Sequence, residues 1–186
     1  DKINYNVERF NPYFKPEYSP ETLSVHNYIT HLVMFKKELL DKVGMFDDGF
    51  NGAQDFDLIL RITENSKNIV HISKILYHWR AAVGSTANVA DSKPYAYEAG
   101  RRAVEAHIQR LGLEGKVENG QDIPGVYRIN YEVVGNPKVS ILIPNKDGIN
   151  YLKTCIKSIL NLTTYENYEI VIIENNSEKQ STFKYY

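Results

Sequence analysis

The order of apolar and polar residues divides the chain into two unlike parts. The last fifty residues contain two apolar runs typical of parallel strands, Val139 to Ile143 and Glu169 to Ile173. Between them, residues 150–162 carry apolar side chains at helical spacing. Two strands joined by a helix form a βαβ unit, about the smallest piece of parallel sheet. This pattern therefore predicts an α/β fold at the carboxyl-terminal end of the chain.

The residues before Asn136 show shorter signals of both periods. Apolar residues at helical spacing predict helices over Lys36 to Val43, Asp55 to Asn65 and Tyr95 to Leu111. Runs rich in β-branched and aromatic residues predict strands over Asn27 to Phe35, Ile69 to Arg80 and Val126 to Val134. Segments rich in proline, glycine or small polar residues are predicted to be loops, at residues 1–24, 81–91 and 115–125.

Composition then narrows the classes of function. The 186 residues carry 22 Lys and Arg against 23 Asp and Glu, a net charge of −1, which argues against a nucleic-acid partner. No apolar run approaches the ~18 residues that a membrane span requires. Because Cys155 is the single cysteine, no internal disulfide can form. We therefore expect a cytoplasmic protein, either free or at the inner face of the cell membrane.

An Asp-x-Asp pair, Asp55 and Asp57, stands at the start of a predicted helix and is the first candidate for chemistry. Three interpretations stay open at this point. The two carboxylates can hold a divalent cation, or Asp55 alone can act as a general base. Alternatively, both residues only cap the free N–H groups of the first helical turn.

The segment from Tyr77 to Arg80 brings a histidine, a tryptophan and an arginine to the end of a predicted strand. His78 can bind a metal or contact a phosphate. Trp79 can stack on a sugar, and Arg80 can pair with a phosphate. Each also has a structural interpretation: a hydrogen-bonded histidine, a core tryptophan and an arginine paired with a surface carboxylate.

Polar residues also follow both strands of the predicted βαβ unit. Asn145 and Asp147 come after the first strand, and Glu174 and Asn175 after the second. Open α/β sheets bind ligands at the carboxyl ends of their strands. The usual glycine-rich fingerprints of dinucleotide and triphosphate sites are absent, and asparagine is also a common turn former. A ligand site and plain turns are both compatible with this pattern.

Together these segments resemble family 2 glycosyltransferases of the GT-A fold. Residues 44–47 (GMFD), residues 54–58 (QDFDL) and His78 are similar to the acceptor-side half of the family. Residues 138–148 (KVSILIPNKDG) and 168–177 (YEIVIIENNS) are similar to the first two strands of the family. The two blocks occur in reversed order, which implies a fragment of a tandem, two-domain bacterial polysaccharide glycosyltransferase.

The resemblance implies a fold class and a division into domains. The class is an α/β fragment of the GT-A (Rossmann-like) fold, an acceptor half followed by the first βαβ unit of a second domain. Residues 1–90 would be the acceptor-side half, and residues 91–136 a helical linker plus a strand. Residues 137–186 would open the second, nucleotide-binding domain.

The implied function is an inverting, metal-dependent transfer of a sugar from a nucleotide-sugar donor to a glycan acceptor, a growing surface polysaccharide. Asp55 matches the general base of the family. Four further residues would bind substrate: Gln54, Asp57, Trp79 and Arg80. Five would surround the nucleotide: Pro144, Asn145, Asp147, Glu174 and Asn175.

The resemblance also implies a cofactor, Mg²⁺ or Mn²⁺. It would be held through an upstream D-x-D that this chain does not contain, with His78 as a further ligand. We therefore expect the chain alone to have little or no transferase activity. We also expect the exposed half-domain surfaces to allow self-association. The alternative is a non-catalytic, glycosyltransferase-like binding or scaffold module.

Overall fold

The structure of the chain is a computed structural model, and it describes residues 1–81, 94–121 and 123–186. The described residues form two compact units, Asp1–Glu132 and Val133–Tyr186. Both units combine helices with small sheets, so the predicted mixed α/β class is confirmed. No helix in these ranges is long and apolar enough to cross a membrane.

The first unit is built from short strands and four helices. In chain order its elements are β1 (Lys2–Ile3), β2 (Arg9–Phe10), α1 (Pro20–Val25), α2 (Lys37–Val43), a 3₁₀ turn (Asp48–Phe50), α3 (Gln54–Glu64), β3 (Trp79–Arg80), α4 (Pro94–Arg110), β4 (Gly115–Asn119) and β5 (Tyr127–Tyr131). Strand β1 pairs antiparallel with β2 and parallel with β3, and β4 and β5 form an antiparallel pair.

The core of the first unit lies where α3 and α4 meet the β4–β5 pair. Its buried side chains come from α1, α3, α4 and both of these strands: Leu23, Tyr28, Ala53, Phe56, Ile59, Leu60, Ala99, Ala103, Val104, Ile108, Val117 and Tyr127. Tyr127 stacks on Phe56 with 6.1 Å between ring centroids. A Cβ atom at Gly100 would lie 1.9 Å from the Tyr127 hydroxyl oxygen, so the missing side chain lets α4 approach β5.

The second unit is the predicted βαβ unit with one added helix. Its elements are β6 (Val139–Asn145), α5 (Ile149–Leu162), β7 (Tyr168–Glu174) and α6 (Gln180–Tyr185). Strands β6 and β7 pair in parallel along their full length, which confirms the prediction. Helix α6 was not predicted. Few side chains of this unit are buried, and those described are Leu152, Asn145 and Thr182.

The predicted strand over residues 27–35 is wrong. This segment is irregular, with a single bridge at the preceding His26. The ammonium group of Lys15 donates hydrogen bonds to the carbonyl oxygens of Ile29 and His31, which replaces the neighbouring strand as a partner. Tyr28 is buried in the core. The β-branched and aromatic residues of the segment therefore serve packing, not pairing.

One predicted strand and two predicted loops also differ from the structure. Of the strand predicted over residues 69–80, only β3 forms. The predicted loop at residues 1–24 contains α1, whose first turn is capped by the Ser19 side chain accepting from the Thr22 N–H at 3.2 Å. The predicted loop at residues 115–125 begins with strand β4. Apart from Ala81, the loop predicted at residues 81–91 lies outside the described residues.

The first compact unit joins two segments that the sequence-based assignment listed separately. The assignment separated residues 1–90 from a linker region at residues 91–136. In the structure α4, β4 and β5 contribute half of the core that α3 helps to form. The reason is that α3 has a broad apolar face, and α4 is the helix that covers it. The relation of these segments to whole glycosyltransferase domains stays a prediction.

Candidate functional site

Asp55 lies in the first turn of α3 and is partly exposed. Its Oδ2 atom accepts a hydrogen bond from the side-chain amide of Asn27 at 3.3 Å. The loop before it is fixed: the Gln54 side chain accepts from the Gly52 N–H at 2.8 Å. Gly52 has a φ of +97°, and a Cβ atom there would lie 2.7 Å from the Tyr95 ring. Asp55 is thus a held carboxylate that solvent can reach.

Asp57 is fully buried and takes a different role. Its Oδ2 atom accepts from Arg61 Nε at 2.9 Å and from Nη2 at 2.6 Å. The same guanidinium donates to the carbonyl oxygens of Val43, Gly44 and Met45, at 2.6, 3.2 and 2.8 Å. Asp57 therefore orients the arginine that fastens the loop after α2 to α3. Its predicted contact with substrate stays a prediction.

A second polar cluster joins the far end of α3 to α1 and α4. His107 Nδ1 lies 2.6 Å from Glu64 Oε1, and its Nε2 lies 3.2 Å from Ser24 Oγ. Arg110 donates to both Glu64 oxygens at 2.8 Å, and its Nη1 lies 3.9 Å from Asp57 Oδ1. Burial raises the pKa of Glu64, but the hydrogen bonds from His107 and Arg110 outweigh it and lower that pKa overall. The cluster anchors the helix that carries Asp55.

His78 lies beside β1, in a group of three polar residues. Its Nδ1 atom is 2.5 Å from Asp1 Oδ1, and Arg9 Nε donates to Asp1 Oδ2 at 2.6 Å. An imidazole and a carboxylate are suitable metal ligands. Within the described residues, however, no cluster of three or more such ligands exists, so the pair does not complete a metal site. The predicted metal role of His78 stays a prediction.

Trp79 and Arg80 form β3. Trp79 is half-buried and meets the His31 ring edge-on at 5.7 Å, while the Arg80 side chain is exposed. In the described part of the first unit no hydrogen bond or ion pair joins Asp55 to His78. The predicted substrate residues are thus carried by two elements, α3 and β3.

In the second unit Asp147 follows β6 and has a φ of +52°. Its carboxylate accepts from the N–H groups of Glu178 and Lys179, at 3.0 and 2.9 Å, and from the Thr182 hydroxyl at 3.1 Å. Its own N–H donates to Ser177 Oγ at 3.0 Å. The two backbone hydrogen bonds lower the pKa of Asp147 most. The carboxylate thus holds the start of α6 against the end of β6.

Glu174 ends β7 and is joined to Asn145, at the end of β6, through one hydroxyl group. Tyr186 donates to Glu174 Oε2 at 2.6 Å, and its oxygen accepts from Asn145 Nδ2 at 2.6 Å. Ser177 also donates to Glu174, from its N–H and its hydroxyl. The hydrogen bond from Tyr186 is the largest cause of the lowered pKa of Glu174. The structure thus brings the two predicted residues together.

An open cleft lies beside this pair, with a volume of about 290 Å³. Its walls come from β6, the following turn and α5: Ile143, Pro144, Asn145, Lys146, Gly148, Tyr151, Leu152 and Cys155. Asn175 extends the strand pairing by donating its N–H to the Asn145 carbonyl oxygen at 3.0 Å, and its side chain is exposed. The cleft and the strand ends form the candidate nucleotide site of the second unit.

Several residues at these positions were not singled out from the sequence. Asn27 and Ser177 touch candidate residues through side-chain hydrogen bonds, and Tyr186 bridges two of them. Ser177 could have been found from the sequence, because it ends the segment at residues 168–177 that is similar to the family's second strand. Asn27 and Tyr186 had none, because their contacts span 28 and 41 residues of sequence.

The second unit, with its parallel βαβ unit and polar strand ends, matches a known protein family. Residues 140–183 match the family model described as Glycosyl transferase family 2. The resemblance to glycosyl transferase family 2 predicted from the sequence is therefore confirmed for these residues. The match lies within the second unit.

Two curated relatives match nearly the whole chain. It is 42% identical over 189 residues to the uncharacterized protein y4gI of Sinorhizobium fredii, across 100% of this chain and 21% of that protein. It is 37% identical over 183 residues to the O-antigen biosynthesis protein RfbC of Myxococcus xanthus, across 98% of this chain and 14% of that protein. The chain thus spans about a fifth of the length of y4gI and about a seventh of the length of RfbC. No solved structure shows a significant match.

Proposed function

We propose that the chain is part of a glycosyltransferase that moves a sugar from a nucleotide-sugar donor to a bacterial polysaccharide acceptor. The family match of residues 140–183 supports the reaction class. The similarity to an O-antigen biosynthesis protein, which includes the first unit, supports a polysaccharide acceptor. The proposal extends to the first unit through one observation, the contrast between Asp55 and Asp57.

That contrast concerns two aspartates two residues apart on α3. Asp57 is fully buried and its carboxylate accepts hydrogen bonds from Arg61, which makes it the poorer candidate for the base. Asp55 is partly exposed and receives one side-chain hydrogen bond, from Asn27. A general base must come within hydrogen-bond reach of the proton that it removes. The contrast supports Asp55 rather than Asp57 as the base.

In the proposed reaction an acceptor hydroxyl oxygen attacks the anomeric carbon of the donor sugar. Asp55 takes the hydroxyl proton while the new C–O bond forms. The bond from the anomeric carbon to the diphosphate breaks, and the nucleoside diphosphate leaves with the electron pair. Attack opposite the leaving group inverts the anomeric centre.

The other predicted residues would bind rather than react. Gln54, Trp79 and Arg80 would contact the sugar and acceptor, through hydrogen bonding, stacking and charge. In the second unit, which would open a separate domain, Asn145 and Glu174 with the cleft beside them would bind the nucleoside of that domain's own donor. A divalent cation would stabilise the charge of the departing diphosphate. The described residues do not complete a site for this cation, and the proton transfer to Asp55 does not require it.

The test is a comparison of Asp55→Asn with wild type, with the protein at its natural full length. Nucleoside diphosphate release is measured across a panel of sugar nucleotides with crude acceptor glycan, with and without Mn²⁺. The change keeps the side-chain volume and removes the base, so we expect a rate loss of about 10²–10⁴. The matched control is Asp41→Asn, which removes an exposed carboxylate from α2. The 186-residue chain, assayed alongside, is expected to show little turnover.

A non-catalytic binding or scaffold module is the second candidate. It is the alternative that the sequence leaves open, and the Asp55→Asn comparison distinguishes it from the transferase. Equal rates for wild type and Asp55→Asn would show that Asp55 is not the base. The first unit would then be the non-catalytic module. Absence of release with every donor would favour it for the whole protein.

A further inference from the structure

The Tyr186 hydroxyl occupies the point where the two strand ends of the second unit meet. Its oxygen accepts a hydrogen bond from Asn145 Nδ2, and its proton is donated to Glu174 Oε2, both at 2.6 Å. Asn145 is buried, with 6% of its surface exposed. Its amide therefore requires an acceptor from the protein or from a ligand.

The chemistry of this pair selects the kind of group that can lie between the two residues. The amide of Asn145 offers a proton, and the ionised Glu174 offers only lone pairs. A hydroxyl group satisfies both residues at once. A phosphate oxygen cannot donate to Glu174, and an ammonium group cannot accept from Asn145. The pair is thus suited to a group that both accepts and donates, as a hydroxyl does, and Tyr186 supplies a hydroxyl from within the chain.

The surroundings leave room for a ligand that carries such a hydroxyl. Asn145 is shared between the contact with Tyr186 and the wall of the 290 Å³ cleft. Lys146 and Tyr151 also line the cleft, which is open to solvent. A molecule in the cleft can therefore reach the Asn145 amide if Tyr186 withdraws. Tyr186 follows α6 and has 46% of its surface exposed, so its ring can leave without uncovering a core.

We propose that Tyr186 is an internal plug, whose hydroxyl takes the place of a ribose hydroxyl of a bound nucleoside diphosphate. The proposal rests on the proposed function for the identity of the ligand. In the plugged state Asn145 and Glu174 are both engaged by Tyr186. The nucleotide binds after Tyr186 withdraws, so the position of α6 regulates access to the nucleotide site.

The plug sets an expected size for the effect of its removal. The apparent dissociation constant of a ligand rises by the inverse of the fraction of protein that is competent to bind. A plug that is closed nine-tenths of the time weakens binding by about tenfold. Tyr186→Phe keeps the ring, including its edge-on contact with Phe183 at 6.1 Å, and removes only the hydroxyl. We expect this variant to bind nucleoside diphosphate about three- to tenfold more tightly.

The experiment measures equilibrium binding of uridine diphosphate and of pyrophosphate to wild type, Tyr186→Phe and Tyr185→Phe. Tyr185→Phe is the control, because the Tyr185 ring lies against Lys153 rather than between the strand ends. Pyrophosphate carries no ribose hydroxyl. We expect tighter binding of uridine diphosphate by Tyr186→Phe alone, and no change for pyrophosphate. Hydrogen exchange of the α6 amides should become faster when uridine diphosphate binds to wild type.

Several results would overturn the plug. Unchanged or weaker binding of uridine diphosphate by Tyr186→Phe contradicts it, and so does an equal gain for pyrophosphate. Absence of binding to both proteins also contradicts it, because no ligand then competes with Tyr186. Sugar transfer is measured in a separate assay with Asp55→Asn. Turnover without a Tyr186 effect would reject the plug alone, and a Tyr186 effect without turnover would reject the transfer alone.

Discussion

The two units use similar apolar patterns with different results. In the first unit α3 and α4 pair their apolar faces, and most buried side chains of the described chain lie there. In the second unit β6, β7 and α5 carry equally apolar patterns, yet Leu142, Val171 and Ile173 stay exposed. Leu152 is the buried apolar side chain of that unit among the described residues. An apolar pattern thus fixes the element, and burial requires a second element to cover it.

The largest expected difference between the units is in the cost of losing a leucine. Leu60 is fully buried in α3, so Leu60→Ala should lower the free energy of unfolding by about 2–5 kcal/mol. Leu142 in β6 is 59% exposed, so Leu142→Ala should change it by about 0.5 kcal/mol or less. Denaturant unfolding followed by Trp79 fluorescence reports the first unit, because Trp79 is the single tryptophan.

The Leu142 measurement follows a unit without tryptophan and uses hydrogen exchange of the β6 and β7 amides. Equal losses for both leucines would show that the second unit has a covered core in solution, and the comparison of the units would fail. A loss at Leu142 that depends on protein concentration would indicate self-association through the exposed strand face.

The second prediction concerns the polar cluster of the first unit. Glu64→Gln removes the charge that pairs with Arg110 and His107, and leaves Arg110 only the longer 3.9 Å contact with Asp57. We expect a loss of about 1–3 kcal/mol in the free energy of unfolding. The matched control is Glu114→Gln, an exposed residue after α4, which should have little effect. A loss equal to that of the control would show that the cluster contributes nothing to stability.

The smallest expected effect is a pH dependence with a defined sign. The pKa of Glu64 is lowered below its ordinary value of 4.5, so its stabilisation is present above that value. It is lost as the pH falls through the lowered pKa. As the pH falls from about 6 to 3, the free energy of unfolding of the first unit, followed by Trp79 fluorescence, should decrease more in wild type than in Glu64→Gln. Parallel pH curves for the two proteins would contradict this assignment.

Helices α2, α3, α4 and α5 could be predicted from the sequence, but α1, α6 and the short strands β1, β2 and β4 could not. The predicted helices at residues 36–43, 55–65 and 95–111 match α2, α3 and α4 within one residue at each end. Helical spacing is a local property of the sequence. The strand predicted at residues 27–35 was wrong because pairing depends on a partner, and Lys15 takes the place of that partner. Parallel β6 and β7 were predictable because both strands and their connection lie within forty residues.

The candidate site divides in the same way. The polar residues after β6 and β7 were predictable from the strands that they follow. The different burial of Asp55 and Asp57 was not, because it depends on contacts that the folded chain makes around α3. The engagement of Asp147 depends on α6, a helix without a periodic signal in the sequence.

The close packing of α4 on β5 at Gly100 also determines where the gene can be cut. A stop codon after residue 90 would remove Gly100 and Tyr127 and leave the Phe56 ring without its stacking partner. The expressed product would expose the apolar face of α3 and should aggregate into inclusion bodies. A stop codon after residue 132 keeps every side chain of that core. Shortening the gene at this second position is the better route to a crystallisable first unit.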